Sequence, residues 1–173
     1  DTIDGINGAN SLSGGAGNDT ITGGVGVDTI SGGDGADAIL SETGLDILTG
    51  GAGNDTFTIV ANTSQFIYSS IQDAANGDIL TFADQGTEVD NGQVTLGSNA
   101  TFSDYIDTAV AGDGSTHGVF SWFTFGSNTY VVQDKSAAAT YVASADIVVE
   151  LVGVLDLTSS TGRTTNAITL DVD

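Results

Sequence analysis

Gly14-Gly15-Ala16-Gly17-Asn18-Asp19-Thr20-Ile21-Thr22 sets the reading of the whole chain. Gly23-Gly24-Val25-Gly26-Val27-Asp28-Thr29-Ile30-Ser31 follows without a gap, and then Gly32-Gly33-Asp34-Gly35-Ala36-Asp37-Ala38-Ile39-Leu40. After one degenerate unit, Ser41 to Thr49, the pattern returns as Gly50-Gly51-Ala52-Gly53-Asn54-Asp55-Thr56-Phe57-Thr58. Upstream, Gly5-Ile6-Asn7-Gly8-Ala9-Asn10-Ser11-Leu12-Ser13 keeps the register, but it lacks the second glycine and has Asn10 in place of aspartate. The unit is G-G-x-G-x-D-x-U-x, with U a large apolar residue.

Each unit divides into a six-residue turn and a three-residue strand. Glycines permit positive φ and let neighbouring turns stack closely. Side chains alternate across a strand, so the apolar residue at position eight points inward. Two units make one coil, which brings residues 18 apart onto the same side. The core is then expected in two ladders: Ile3, Ile21, Ile39 and Phe57 in one sheet, Leu12, Ile30 and Leu48 in the other. Position six sorts likewise, with Asp1, Asp19, Asp37 and Asp55 on one edge and Asn10, Asp28 and Asp46 on the other. A disordered Gly/Asp-rich linker shares this composition, but a linker requires no regular apolar residue.

Stacked carboxylates repel, by about 4 kcal/mol for a pair ~4 Å apart at an effective dielectric of about 20. A hard dication with oxygen ligands removes that cost, and Ca²⁺ accepts about 6–8 of them. The candidate ligands are the carboxylates of Asp19, Asp28, Asp37, Asp46 and Asp55. Turn residues Gly14, Ala16, Gly23, Val25, Gly32, Asp34, Gly50 and Ala52 complete the set, because turn carbonyls must supply what the carboxylates do not. Several ions are expected. Glu42 reads as an exposed charge, and Asp1 stands outside the set because the N-terminal coil is incomplete.

The nonapeptide resembles the calcium-binding repeat of RTX proteins, over residues 1–58. A second resemblance lies in Trp122-Phe123-Thr124-Phe125-Gly126-Ser127-Asn128-Thr129-Tyr130-Val131-Val132-Gln133-Asp134 and in Asp146-Ile147-Val148-Val149-Glu150-Leu151-Val152-Gly153-Val154-Leu155-Asp156-Leu157. These strings look like the C-terminal end of type I-secreted RTX proteins, and are most similar to bacterial surface-layer (S-layer) proteins of that class. That resemblance implies an uncleaved C-terminal export signal and calcium-triggered folding outside the cell. Ala167-Ile168-Thr169-Leu170-Asp171-Val172-Asp173 resembles the end of such a signal and reads equally as a terminal edge strand.

Composition narrows the function. The formal charge is −21, and Lys135 and Arg163 are the only basic side chains besides His117. Nucleic acid is excluded as a partner, since phosphate contacts need cations, and an anionic membrane surface would repel the chain. No run is long and apolar enough to cross a bilayer, and no signal peptide is visible. The chain begins at position six of a unit, as expected of a fragment. Cysteine is absent, so no disulfide supports the fold. Acidic calcium chemistry without cysteine fits an extracellular bacterial protein.

Beyond residue 58, Thr-, Val-, Ile- and aromatic-rich runs predict strands at 56–61, 65–71, 78–83, 93–96, 118–125, 129–134, 146–152 and 167–172. Phe125 to Thr129 reads as a hairpin loop. One helix is predicted near 102–111, with Thr101 as N-cap, Asp104 in its first turn and Gly112 at its end. A solenoid end needs a cap, and Phe57, Ile59 and Phe66 are candidates to seal it. The expected fold is all-β: a right-handed parallel β-roll (the RTX solenoid) over 1–58, then a β-rich, sandwich-like C-terminal cap with one short helix over 59–173.

Enzymatic signatures are missing from the sequence. His117 is the one histidine and reads as an exposed turn residue; an H-E-x-x-H zinc site needs two, and no G-x-S-x-G elbow exists. Nothing singles out an Asp pair for glycoside hydrolysis. Trp122 reads as core beside Phe120 or Phe125 in preference to a sugar-stacking residue. The Asp73/Asp78 and Asp84/Glu88/Asp90 groups read as solvated charges, with extra calcium as the alternative. The chain is therefore expected to be no enzyme. It is expected to be the calcium-dependent folding and self-assembly module of a secreted surface-layer or surface-matrix protein. Its partners would be Ca²⁺, further copies in an oligomer or lattice, and the type I exporter. The alternatives are the C-terminal export and folding module of an RTX enzyme, or of an RTX adhesin.

Overall fold

Short strands with an inward apolar residue alternate with glycine turns through the repeat region. β1 (Thr2–Asp4), β2 (Ser11–Ala16), β3 (Thr20–Thr22), β4 (Thr29–Asp34), β5 (Ala38–Leu40), β6 (Ile47–Ala52) and β7 (Thr56–Ile59) go alternately to two sheets. The computed structural model describes residues 1–60, 68–82, 89–111, 119–136, 138, 140–142, 145–161 and 167–172. Gly112, His117, Phe66, Asp84, Glu88 and Asp173 lie outside the described residues. Pairing follows the period of 18: Ile3, Ile21, Ile39 and Phe57 stand opposite one another in parallel register. Leu12, Ile30 and Leu48 do the same in the second sheet.

The remaining elements are β8 (Ser69–Ile71), β9 (Ile79–Phe82), β10 (Val89–Gln93), α1 (Phe102–Val110), β11 (Val119–Phe125), β12 (Asn128–Asp134), β13 (Ile147–Leu151) and β14 (Ala167–Thr169). β8 and β9 add a further coil that the repeat pattern does not announce. Ile71 pairs with Leu48 and Leu80 with Phe57, each a step of 23 residues in place of 18 (71 − 48 and 80 − 57). The five extra residues fall between Thr58 and Ser69, since Ile71 to Asp78 keeps the ordinary spacing.

One sheet runs β1-β3-β5-β7-β9-β14 and the other β10-β11-β12-β13-β8-β6-β4-β2. Both are mixed: β14 is antiparallel to β9, and β12 is antiparallel to β11 and β13. Within residues 1–58 every pair is parallel, as expected; the sheets are open, and they become mixed through the strands that follow. Strands beyond residue 58 lengthen the same two sheets. The cause is hydrogen-bonding demand, since the free edges of β8 and β9 take up β13 and β14. The expected strand at 93–96 is displaced to Val89–Gln93, where a register shift between Asp90 and Gly92 changes its pairing with β11. The hairpin expected after Phe125 closes on a Phe125–Asn128 pair, with Gly126 at φ 62°.

The sheets face each other across one core. Ile21, Ile39, Phe57, Ile59 and Leu80 meet Ile30, Leu48, Ile71, Trp122 and Val149, all buried. Each such burial contributes about 1.5–3 kcal/mol. Trp122 is core, as its sequence context indicates, and Phe120 packs beside Phe82 with ring centroids 4.9 Å apart. Alternation along β11–β13 sends Phe123, Tyr130, Val132 and Val148 to the opposite face, where Ile106, Ala109 and Val110 of α1 cover them. Thr101 and Asp104 cap α1 reciprocally.

Position two of the unit demands a left-handed backbone: Gly15, Gly33 and Gly51 have φ of 102°, 117° and 103°. A Cβ on Gly33 would run into the Gly15 carbonyl. Ile6 and Glu42 occupy the same position with φ of 66° and 56°, a conformation that costs a side-chain-bearing residue roughly 1–2 kcal/mol. Replacing Glu42 by glycine is expected to raise stability by about 1 kcal/mol, read as a higher urea midpoint in saturating calcium. A lower midpoint would show that the Glu42 side chain contributes more than the strain it imposes.

Candidate metal centre

The turn places position six where the chain re-enters a strand, and each aspartate there is drawn inside. Asp19, Asp28, Asp37, Asp46, Asp55 and Asp78 are each at most 2 % exposed. One oxygen of each is held by the coil before it. The Asp19 N–H donates to Asp37 Oδ1 (2.8 Å), Asp37 N–H to Asp55 Oδ1 (2.9 Å) and Asp55 N–H to Asp78 Oδ1 (2.9 Å). On the other edge the Asn10 N–H donates to Asp28 Oδ1 (2.8 Å) and Asp28 N–H to Asp46 Oδ1 (2.9 Å). The chain's amino group pairs with Asp19 Oδ1. The carboxylates therefore interleave with main-chain donors and do not stack bare.

The second oxygen is the unresolved one. Oδ2 of Asp19, Asp28 and Asp37 is buried without a hydrogen-bond partner, a costly state for a charged acceptor. It lies against the first glycine of the unit: a Cβ on Gly14, Gly32 or Gly50 would overlap Oδ2 of Asp19, Asp37 or Asp55, and one on Gly23 would come within 2.9 Å of Asp28 Oδ2. Asn10 shows what else lines this space. Its Nδ2 takes the place of Oδ2 beside Gly5 and donates to the carbonyls of Gly5 (3.2 Å), Asn7 (3.4 Å) and Gly8 (3.0 Å). Carbonyls at positions one, three and four thus converge on the side chain at position six.

In the aspartate turns, the repeat register puts those carbonyls at Gly14, Ala16 and Gly17, at Gly23, Val25 and Gly26, at Gly32, Asp34 and Gly35, and at Gly50, Ala52 and Gly53. If these turns curl as the Asn10 turn does, carbonyl oxygens would face the carboxylate oxygen. Such an all-oxygen, anionic donor set fits Ca²⁺, which takes carboxylates and backbone carbonyls in flexible geometry. Position-three carbonyls already accept from the preceding coil, as in Gly17 N–H to Asp34 O (2.7 Å) and Gly35 N–H to Ala52 O (2.7 Å), and a carbonyl keeps a second lone pair. Among the described residues no three carboxylate or imidazole side chains converge, so the main chain has to contribute most of any ligand set.

Each residue singled out in the sequence has a defined place. Gly14, Gly23, Gly32 and Gly50 back the carboxylates, and Ala16, Val25, Asp34 and Ala52 hold position three. The Asp34 side chain is exposed, and its carbonyl accepts from Gly17 N–H. Asp46 Oδ2 accepts from Ser69 Oγ (3.3 Å), the serine standing where the next aspartate of that edge would be. Glu42 is half-buried. Asp78 is the residue that the sequence reading undervalued. It tops one ladder, and both its oxygens are taken, Oδ1 by Asp55 N–H and Oδ2 by Ala75 N–H (2.9 Å). Asp73 closes the end of a turn by accepting from Gly50 N–H (2.9 Å) and Gly51 N–H (2.8 Å). The available signal was Asp78-Ile79-Leu80-Thr81, which preserves D-x-U-x at the longer step.

Residues 4–39 and 31–58 match the family model of the RTX calcium-binding nonapeptide repeat (4 copies). No curated protein matches the chain. The chain thus carries RTX repeats, a calcium-binding motif, across residues 4–58. No helix among the described residues is long and apolar enough to cross a membrane.

Burial, reinforced by the charge of Asp28, pushes Asp46 from its ordinary 3.8 up to about 6. Burial also raises Asp55 and Asp78, with neighbouring carboxylates adding to it. A carboxylate whose folded pKa lies above its unfolded one stabilises the fold below the unfolded value and loses that stabilisation as pH rises through the folded value. For Asp46 the window runs from about 4 to 6. Chelated protein is therefore expected to gain β circular dichroism and melting temperature on acidification from pH 7 towards 4. Calcium-saturated protein should lose melting temperature over the same window, because protons compete with the ion. A chelated protein that loses structure on acidification would show that the buried carboxylates do not oppose folding.

Proposed function

We propose that residues 1–58 form a right-handed calcium roll. The whole chain then acts as the calcium-dependent folding and self-assembly part of a secreted bacterial surface-layer or surface-matrix protein. The observation that carries the calcium part is the set of buried, partnerless Oδ2 atoms on Asp19, Asp28 and Asp37. A chain of charge −21 resists closing such coils while calcium is scarce, which suits passage through a type I exporter. Outside the cell, an ion that binds only the folded form stabilises it by mass action, about 2.7 kcal/mol per site at one hundred times the dissociation constant. Several sites in one stack make folding switch-like. On this reading the chain has no catalysis of its own.

The assembly part draws support from the way the tail is built. Its strands share one core with the repeats, through Trp122, Val149, Ile168 and Leu170, so ordering the repeats also orders a long β surface. Calcium between acidic faces of neighbouring copies would offset their mutual repulsion. The terminal segment, which resembles an export signal, is also an edge strand: Ile168 pairs with Leu80 and is 4 % exposed. In this proposal it acts in export before folding and packs afterwards.

Chelation at neutral pH is expected to abolish the β circular dichroism of the repeats, and millimolar calcium to restore it; a spectrum indifferent to chelator would refute the calcium reading. Asp37→Ala should weaken calcium binding by about tenfold or more, equivalent to about 1.4 kcal/mol, with little effect from Glu42→Ala. Ordered arrays in electron micrographs on adding calcium would support assembly. Monomeric sedimentation at millimolar calcium would favour an export and folding module instead.

A further inference from the structure

We propose that the turn closed by Asn10 takes no metal ion, because the side-chain amide of Asn10 stands in for the cation that the aspartate turns require. This rests on the calcium reading above and concerns which turns are loaded. The backbone of the Asn10 turn follows that of its neighbours: Ile6 has φ 66° where Gly24 has 92°, and Asn7 bridges to Val25 in parallel. Its carbonyls converge as they must for an ion, yet a donor already occupies their centre. Nδ2 bonds Gly5 O, Asn7 O and Gly8 O at 3.2, 3.4 and 3.0 Å. A carboxamide nitrogen carries hydrogens with partial positive charge and no lone pair for a metal, so it satisfies the carbonyls and repels a cation. The exchange of one oxygen for one NH₂ leaves the outline of the side chain unchanged and removes one negative charge.

On the other edge, the last coil solves the same problem with a main-chain donor. In the coil that carries Asp78, the N–H of the position-three residue, Ala75, donates to Asp78 Oδ2 at 2.9 Å. The partnerless oxygens of Asp19, Asp28 and Asp37 lie between these two coils. Ion loading is thereby left to the coils between, and the Asn10 turn needs no ion of its own once the next coil has folded against it.

The test counts bound calcium per chain, by equilibrium dialysis and elemental analysis, on the full 173-residue protein. Asn10→Asp is expected to bind one ion more than the unsubstituted chain and to need more calcium for half-maximal circular dichroism. Asp28→Asn is the converse: it should bind fewer ions, keep its β spectrum in calcium, and tolerate chelation better than Asp28→Ala. An unchanged count in Asn10→Asp, with the unsubstituted chain fully loaded, overturns the proposal. Should Asn10→Asp fail to fold, an unreduced count in Asp28→Asn overturns it on the same ground. An unsubstituted chain that binds no calcium would instead refute the calcium reading, and this proposal with it.

Discussion

An ionised carboxylate oxygen shut away from water must be met by a positive partner, and the repeat region is arranged around that requirement. Gly14, Gly32 and Gly50 are bare at position one because a methyl group there would occupy the space of the Asp19, Asp37 or Asp55 carboxylate. Position two turns left-handed, and in the Asn10 turn the carbonyls around it converge on the position-six side chain. The inward Ile, Leu and Phe ladder holds the tiers in register. Each apolar burial contributes about 1.5–3 kcal/mol, while an unsatisfied buried acceptor costs about 1–3 kcal/mol and more when charged. Terms of such similar size leave the balance to whatever neutralises the oxygen.

Three kinds of positive partner recur along the stack. Main-chain N–H groups meet Oδ1 throughout, linking each coil to the next through Asp37, Asp55 and Asp78 on one edge and Asp28 and Asp46 on the other. A hydroxyl and a further N–H meet Oδ2 of Asp46 and Asp78. The middle tiers provide neither, and there the calcium-binding repeat and the donor chemistry coincide. The like-charge repulsion expected of a bare aspartate stack is thus divided, half met by the fold and half left for an ion.

The tail completes the sheets without changing this chemistry. β13 continues one sheet from β8 and β14 covers β9 of the other. α1 packs against the outer face of β11–β13 through Ile106, Ala109 and Val110, and Phe102 meets the Tyr130 ring at 4.8 Å. The last strands and the first coils therefore share one hydrophobic interior, in which Leu170 is 1 % exposed and Ile21 fully buried.

The nine-residue period by itself determined which residues pair and which point inward, from Ile3 to Phe57, because inward and outward placement in a strand is a local choice. It also marked the buried aspartates of position six, and local chemistry sufficed for the hairpin at Gly126 and the Thr101–Asp104 cap. Only the tertiary structure decided that Ser69–Ile71 and Ile79–Phe82 form another coil, that the sheets are mixed, and that Asp73 and Asp78 do different work. The reason is that cross-strand hydrogen bonds register what stands opposite and take no account of sequence separation, so a five-residue insertion hides a coil from the period while leaving its pairing intact. The orientation of the Asn10 amide was likewise invisible until its three carbonyl partners were in place.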